Sequence, residues 1–170
     1  MSEAILFYRP GDPYGCFSNF YSAPLVFQGK QYPTSEHAFQ AMKFTKTDPD
    51  WAEAIRLAPR ARDAAQMGRD RSHPMRADWD NIRDDAMRAV LLAKFMANPS
   101  LESILVGTCD TPLVEHTERD SYWGDGGNGT GQNKLGKLLM EVRGVLGNCM
   151  SQDGAEMMAA YTAKALRSLV

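Results

Sequence analysis

From Asn81 to Ala97 the apolar residues Ile82, Ala86, Ala89, Val90, Ala93 and Met96 return every three or four positions, and Asn98-Pro99 then stops the run. That spacing lays an apolar stripe along one face of a helix, and a helix so striped must bury that face against other parts of the chain. A second stripe, Leu135, Leu138, Leu139, Val142 and Leu146, begins after a run of glycines. Two such helices commit the chain to a packed, mainly helical body. Its beginning differs. ILFY (5–8) and PLVFQGKQYP (24–33) are expected to form short strands, the second run folding back at Gln28-Gly29, and PLVEH (112–116) reads as one more. Between them RPGDPYGCFSNFYS (9–22) is a loop with a packing or a binding role.

Thr34 or Ser35 can cap a helix whose first turn holds Glu36, a carboxylate suited to the dipole there, and this helix is expected to reach Lys46. Asp50-Trp51 opens another, and Pro59 either ends it or begins a short third one. LESILVG (101–107) favours helix over strand. An Ala/Met-rich helix is expected over about 155–169, after the break at 147–154. There Met157, Met158, Tyr161, Leu166 and Leu169 are expected to cover the core, with a second subunit as the alternative. The expected fold class is α+β: a predominantly helical single domain over 1–170, with a small β-sheet near the N-terminus.

A net charge of −2 argues against a protein whose main task is to hold long nucleic acid. The cysteines, Cys16, Cys109 and Cys149, are odd in number and far apart. No leader peptide is read at the start, so a reduced, cytoplasmic protein is the simplest expectation. No apolar run approaches the roughly 20 residues that span a bilayer. His37, His73 and His116 show no metal-ligand spacing, so neither metal nor cofactor is expected.

Six glycines fall between Gly124 and Gly136 in DSYWGDGGNGTGQNKLGKLLM (120–140), and two phosphate-loop patterns can be laid on them. Gly124 to Gly129 has G-x-G-x-x-G spacing, but no hydrophobic strand precedes it and the helix begins too late. Gly131 to Lys137 has P-loop spacing up to Leu138, which stands where a Mg²⁺-binding hydroxyl is needed, and Leu135 to Lys137 already belong to the helical stripe. Both matches fail on context. What remains is Trp123 and Asp125 beside backbone that a ligand can approach, and Asn133 and Lys134 at a helix start, where anions bind. A tight turn with Trp123 in the core explains the same residues.

Two further polar clusters stand out. Glu36, Gln40 and Lys43 fall within about 60° of one another around their helix, with Phe39 beside them. MGRDRSHPMRADW (67–79) sets Arg69, Arg71 and Arg76 before Trp79, pairing guanidinium groups suited to phosphate with an indole suited to stacking on a base. A solvated helix face and an ordinary basic loop with a buried indole are the plainer readings.

Together FYRPGDPYGCFSNFYSAPLVFQGKQYPTSEHAFQAMKF (7–44), AAQMGRDRSHPMRADW (64–79), KFMAN (94–98) and LVEHTERDSYWGDGGNGTGQNKLGKLLMEVR (113–143) resemble the YbiA-like family, also called NADAR, in the family's order. The resemblance spans about 5–147 and rests on SNF, TSEH, MGR and YWGDG; 148–170 has no part in it and is expected to be an additional helix. It implies an N-glycosidase that hydrolyses phosphoribosylamino-pyrimidine intermediates of riboflavin biosynthesis to a free pyrimidine and ribose 5-phosphate, without a cofactor. It places Glu36, Trp79, Trp123 and Asp125 in the site, with Asn19, Phe20, Lys43, Arg69 and Asn133 lining it.

On that resemblance Glu36 is expected to stabilise the sugar cation or take a proton from water, and Asp125 to be the second acidic group. Trp79 and Trp123 would wall the pocket or stack on the base. Lys43, Arg69 and the helix start near Asn133 would take the phosphate. The alternatives are the same chemistry on ADP-ribosylated guanine in nucleic acid, a non-catalytic module that binds ADP-ribose or NAD, and a helical interaction domain. The expected partner is thus a small phosphoribosyl or ADP-ribosyl molecule, with modified nucleic acid under the first alternative and no membrane; oligomeric state is left open.

Overall fold

The computed structural model describes residues 3–148, 152–167 and 169. Its elements are β1 (Ile5–Phe7), β2 (Leu25–Phe27), β3 (Lys30–Tyr32), α1 (Ser35–Ala41), α2 (Pro49–Arg56), α3 (Ala61–Met67), α4 (Trp79–Ala97), α5 (Pro99–Gly107), β4 (Leu113–Glu115), α6 (Lys134–Asn148) and α7 (Gln152–Arg167). The architecture is α+β, dominated by helices.

The striped helix is the hub. Ala86, Val90, Leu91 and Phe95 of α4 are fully buried, and the helix packs against α1, α5, α6, α7 and β2. It begins at Trp79, three residues before the stripe's first member Ile82, so the indole stands on its first turn with its ring buried. Asp78 precedes it but caps nothing; its carboxylate oxygens accept from Arg76 Nε and Nη2 at 2.6 and 2.9 Å.

β2 and β3 form the hairpin anticipated at Gln28-Gly29. Both turn residues are left-handed, with φ of 49° and 75°, the backbone that matches the twist of paired strands. β1 does not join them. It pairs in parallel with β4, Ile5 opposite Leu113 and Phe7 opposite Glu115. Among the described residues the strands form two separate ribbons, not one sheet, because a parallel partner must arrive by a crossover and here most of the helical body intervenes.

α1 stops at Ala41, not near Lys46. Beyond it the N–H groups of Lys43, Phe44 and Thr47 donate three residues back, to Gln40, Ala41 and Phe44. This tighter winding buries Phe44 and leaves the Lys43 carbonyl to accept from Arg76 N at 2.9 Å. α7 packs on α4 and α6, with Met158 and Tyr161 half-buried against the core and Leu169 buried, whereas Leu166 is 40% exposed. The side chain of Met157, like Cys149, lies outside the described residues.

Candidate active site

The site begins with how the loop before α1 is held. Lys94 of α4 is fully buried and donates Nζ to the carbonyls of Cys16 and Ser18 at 2.6 and 2.9 Å. Burial pulls its pKa down to about 7. The next residue, Asn19, then meets the start of α1. Its carbonyl accepts from Glu36 N at 3.1 Å and its Oδ1 from Ser35 Oγ at 2.9 Å. Thr34 caps the helix by accepting from His37 N, and the His37 ring bridges Thr34 Oγ1 and the Ala58 carbonyl. SNF and TSEH, distant in sequence, form one corner.

That corner opens on a cleft of about 410 Å³. Glu36 and Gln40 line it from one face of α1, and Lys43 from the tight turn that follows, on the side their spacing predicts. Glu36 is 6% exposed, and Gln40 Nε2 donates to its Oε1 at 2.7 Å. Desolvation pushes its pKa up, opposed by the Gln40 bond and the charges of Lys43 and Arg69. Lys43 gives a hydrogen to the Gly68 carbonyl at 3.0 Å, and burial lowers its pKa to about 8, against the pull of Glu36. A Cβ on Gly68 would fall 1.9 Å from Gln40 Oε1, so the glycine of the MGR motif makes room for the side chain that holds Glu36.

Trp79, Phe39 and Trp123 make one wall. Phe39 stands between the indoles, with ring centroids 5.0 Å from Trp79 and 5.4 Å from Trp123. Phe20 is exposed at the rim. Arg69, Arg71 and Arg83 also reach the cleft. Arg83 lies over the Tyr122 ring at 3.8 Å and pairs with Asp80, whereas the side chains of Arg69 and Arg71 make no hydrogen bond within the described residues.

The glycine-rich loop holds two of the expected site residues outside the cleft lining. Asp125 does not line the cleft. It is 7% exposed, its Oδ1 accepting from Thr117 N at 3.1 Å and Gly127 N at 2.9 Å, its Oδ2 facing His116 Nδ1 at 2.8 Å. Desolvation would raise its pKa, but these bonds outweigh it and hold the carboxyl below its ordinary value. Asp125 is the hub of the loop. Asn133 is likewise withdrawn. It is left-handed, with φ 47°, and its side chain accepts from Glu115 N and donates to Leu113 O, extending the β4 edge. Lys134 N and Leu135 N donate to the carbonyls of Tyr122 and Trp123, and Lys134 Nζ pairs with Asp84. The start of α6 is occupied by its own loop, so the phosphate site expected there is closed.

In their place stand two acids that the sequence did not single out. Asp120 and Glu115 both line the cleft. Asp120 Oδ1 accepts from Tyr122 N and Trp123 N at 2.8 Å each, a local turn legible in D-x-x-W. Glu115 has no such local signal, since its position depends on the pairing of β4 with β1. Burial, then the like charges of Asp120, Glu36 and Asp125, push its pKa up to about 8. Gly124 lets this loop close, because a Cβ there would meet the Glu115 carbonyl at 2.8 Å. A separate apolar groove of about 330 Å³ among β2, α4 and α7 is lined, among the described residues, by no ionisable group.

The model of the NADAR domain matches residues 6–147. This chain belongs to the NADAR family. The N-glycosidase YbiA of Escherichia coli is 49% identical to it over 144 residues, 84% of this chain and 89% of that protein. An N-glycosidase of Nostoc punctiforme is 39% identical over 151 residues, covering 88% and 97%. A riboflavin biosynthesis protein of Vibrio vulnificus is 40% identical over 143 residues, 84% of this NADAR chain and 38% of its own length. The NMR structure of E. coli YbiA superposes with a TM-score of 0.78, covering 86% of each chain. The glycine-rich loop and the cleft lie within the matched residues, whereas α7 lies beyond them.

Proposed function

We infer that the chain is an N-glycosidase, and propose that it hydrolyses a phosphoribosylamino-pyrimidine intermediate of riboflavin biosynthesis to the free pyrimidine and ribose 5-phosphate. The observation that carries this reading is one cleft holding a buried carboxylate, Glu36, an aromatic wall and two guanidinium groups, those of Arg69 and Arg71, that make no hydrogen bond among the described residues. Breaking the bond from the anomeric carbon to nitrogen builds positive charge on C1 and the ring oxygen. Glu36 faces that charge and activates the water, with Gln40 keeping its oxygen aimed. Arg69 and Arg71, with Lys43 beside them, take the 5-phosphate, and Trp79 and Trp123 flank the base. Asp125 acts by holding the loop that presents Trp123 and Asp120.

Incubating the pure chain with a phosphoribosylamino-pyrimidine should release ribose 5-phosphate. Glu36→Gln should slow this by ~10²–10⁴-fold, the usual scale of general acid–base catalysis, with an unchanged melting temperature. Near-normal release by a folded Glu36→Gln would sink the role. Faster release of sugar from an ADP-ribosylated guanine oligonucleotide would move the assignment to that substrate.

A further inference from the structure

We propose that Glu115 is the proton donor to the departing nitrogen and that Glu36 is its ionised counterpart, the base for water. This rests on the N-glycosidase reading and assigns that reaction its second carboxyl group. Among the described residues, the other carboxylates in and beside the cleft are committed to partners. Glu36 accepts from Gln40, Asp120 from two backbone N–H groups, Asp125 from two more and His116, and Asp80 pairs with Arg83. The Glu115 carboxyl makes no hydrogen bond to the described protein, yet its main chain is pinned. Its N–H donates to Asn133 Oδ1 at 3.0 Å, its carbonyl accepts from Asp125 N at 2.9 Å, and β4 pairs with β1. A rigidly placed carboxyl left free at a cleft is available to a ligand atom.

The surroundings of the two glutamates divide the labour. Glu115 faces Glu36 from α1 and Asp120 and Asp125 from the loop after β4, all acidic. Glu36 has the Gln40 donor and, on its other side, Lys43 and Arg69; Arg71 acts on Lys43, and Arg83 with Asp80 fills the α4 side. The Gln40 donor and the nearby cations favour the anion of Glu36, whereas the acids around Glu115 favour its protonated form, and burial holds that proton to about pH 8. As the bond from C1 to nitrogen breaks, its electron pair goes to the amine nitrogen, which takes the proton of Glu115. Water oxygen bonds to C1 and gives its proton to the Glu36 carboxylate. The products are ribose 5-phosphate and the free amine. Solvent then returns the proton from Glu36 to Glu115.

The test compares two substrates on the full chain. One is the phosphoribosylamino-pyrimidine, whose nitrogen needs a proton; the other is nitrophenyl ribofuranoside 5-phosphate, whose nitrophenolate leaves without one. Glu115→Gln should lower kcat on the first by ~100-fold or more with KM within about threefold, and leave the second within about fivefold. Glu36→Gln should slow both. Wild-type kcat on the amine should fall on the alkaline side with an apparent pKa near 8, a limb absent from the residual activity of Glu115→Gln. Equal slowing of both substrates by Glu115→Gln, or an unchanged alkaline limb, would overturn the role while leaving the function intact. A wild type inactive on both substrates would overturn the function and this role with it.

Discussion

Gln40 Nε2 donates to Glu36 Oε1 at 2.7 Å, one helical turn apart on a buried face, and this bond is a main force opposing the desolvation of Glu36. A hydrogen bond to a charged group is worth about 1.5–3 kcal/mol, and one pKa unit is about 1.4 kcal/mol. Gln40→Leu should therefore move the acid limb of kcat/KM upward by ~1–2 pH units, because losing the donor disfavours the anion that the mechanism needs. A pH–rate profile of the variant checks this; an unmoved acid limb would separate Glu36 from the base role.

Gly68 is helical in backbone, so its substitution acts through space alone. Gly68→Ala puts a methyl group where Gln40 Oε1 now stands and should lower kcat by about tenfold, equivalent to about 1.4 kcal/mol. Far-ultraviolet circular dichroism should be unchanged. Combining it with Gln40→Leu should cost less than the sum of the two, since both act on one contact.

Arg71 should govern affinity, not chemistry. Arg71→Ala should raise KM for the phosphorylated substrate ~10–100-fold, the loss of one charged hydrogen bond, and leave a dephosphorylated ribosylamine unaffected. Steady-state kinetics on the pair of substrates reads this directly.

Asp125→Asn keeps an oxygen for Thr117 N and Gly127 N, so it should retain kcat within about tenfold. Asp125→Ala orphans those donors and should cost about 1–3 kcal/mol of stability. Urea unfolding and initial rates on both variants decide it. Abolished turnover by a stable Asp125→Asn would return this residue to the chemistry.

Glu115 should be kept at a cost in stability. Its folded pKa is raised from 4.5 to about 8, so its favourable contribution is complete below about pH 4.5 and is lost as pH climbs through about 8. Above that, the ionised carboxyl stands unpaired among like charges. Glu115→Gln should therefore melt a few degrees higher than wild type at pH 8–9 and differ little at pH 4.5, while losing activity. Melting curves across that range provide the measurement.

Much of this molecule was legible along the chain because local physics placed it. The α4 stripe, the Gln28-Gly29 hairpin, the cap at Thr34 and the alignment of Glu36, Gln40 and Lys43 follow from spacing and backbone preference over a few residues. The family motifs pointed to Trp79, Trp123 and Arg69 beside them, all of which the cleft brings together. The tight winding that ends α1 at Ala41 was hidden, because it is set by burying Phe44 and by the bond from Arg76 to the Lys43 carbonyl.

The glycine-rich loop marks the boundary. Its composition offered Trp123 and Asp125 on closely approachable backbone beside the plainer reading of a tight turn, but not which of them looks into the cleft. That was decided by which donors surround each side chain once the loop closes: three converge on Asp125 and withdraw it, and the loop's own carbonyls take up Lys134 N and Leu135 N at the start of α6. Glu115 entered the site by the parallel pairing of β4 with β1, a contact between distant segments with no local signature. Periodicity encodes which face of an element is buried; only the packed structure sets which carboxyl is left without a partner, and its protonation follows from that.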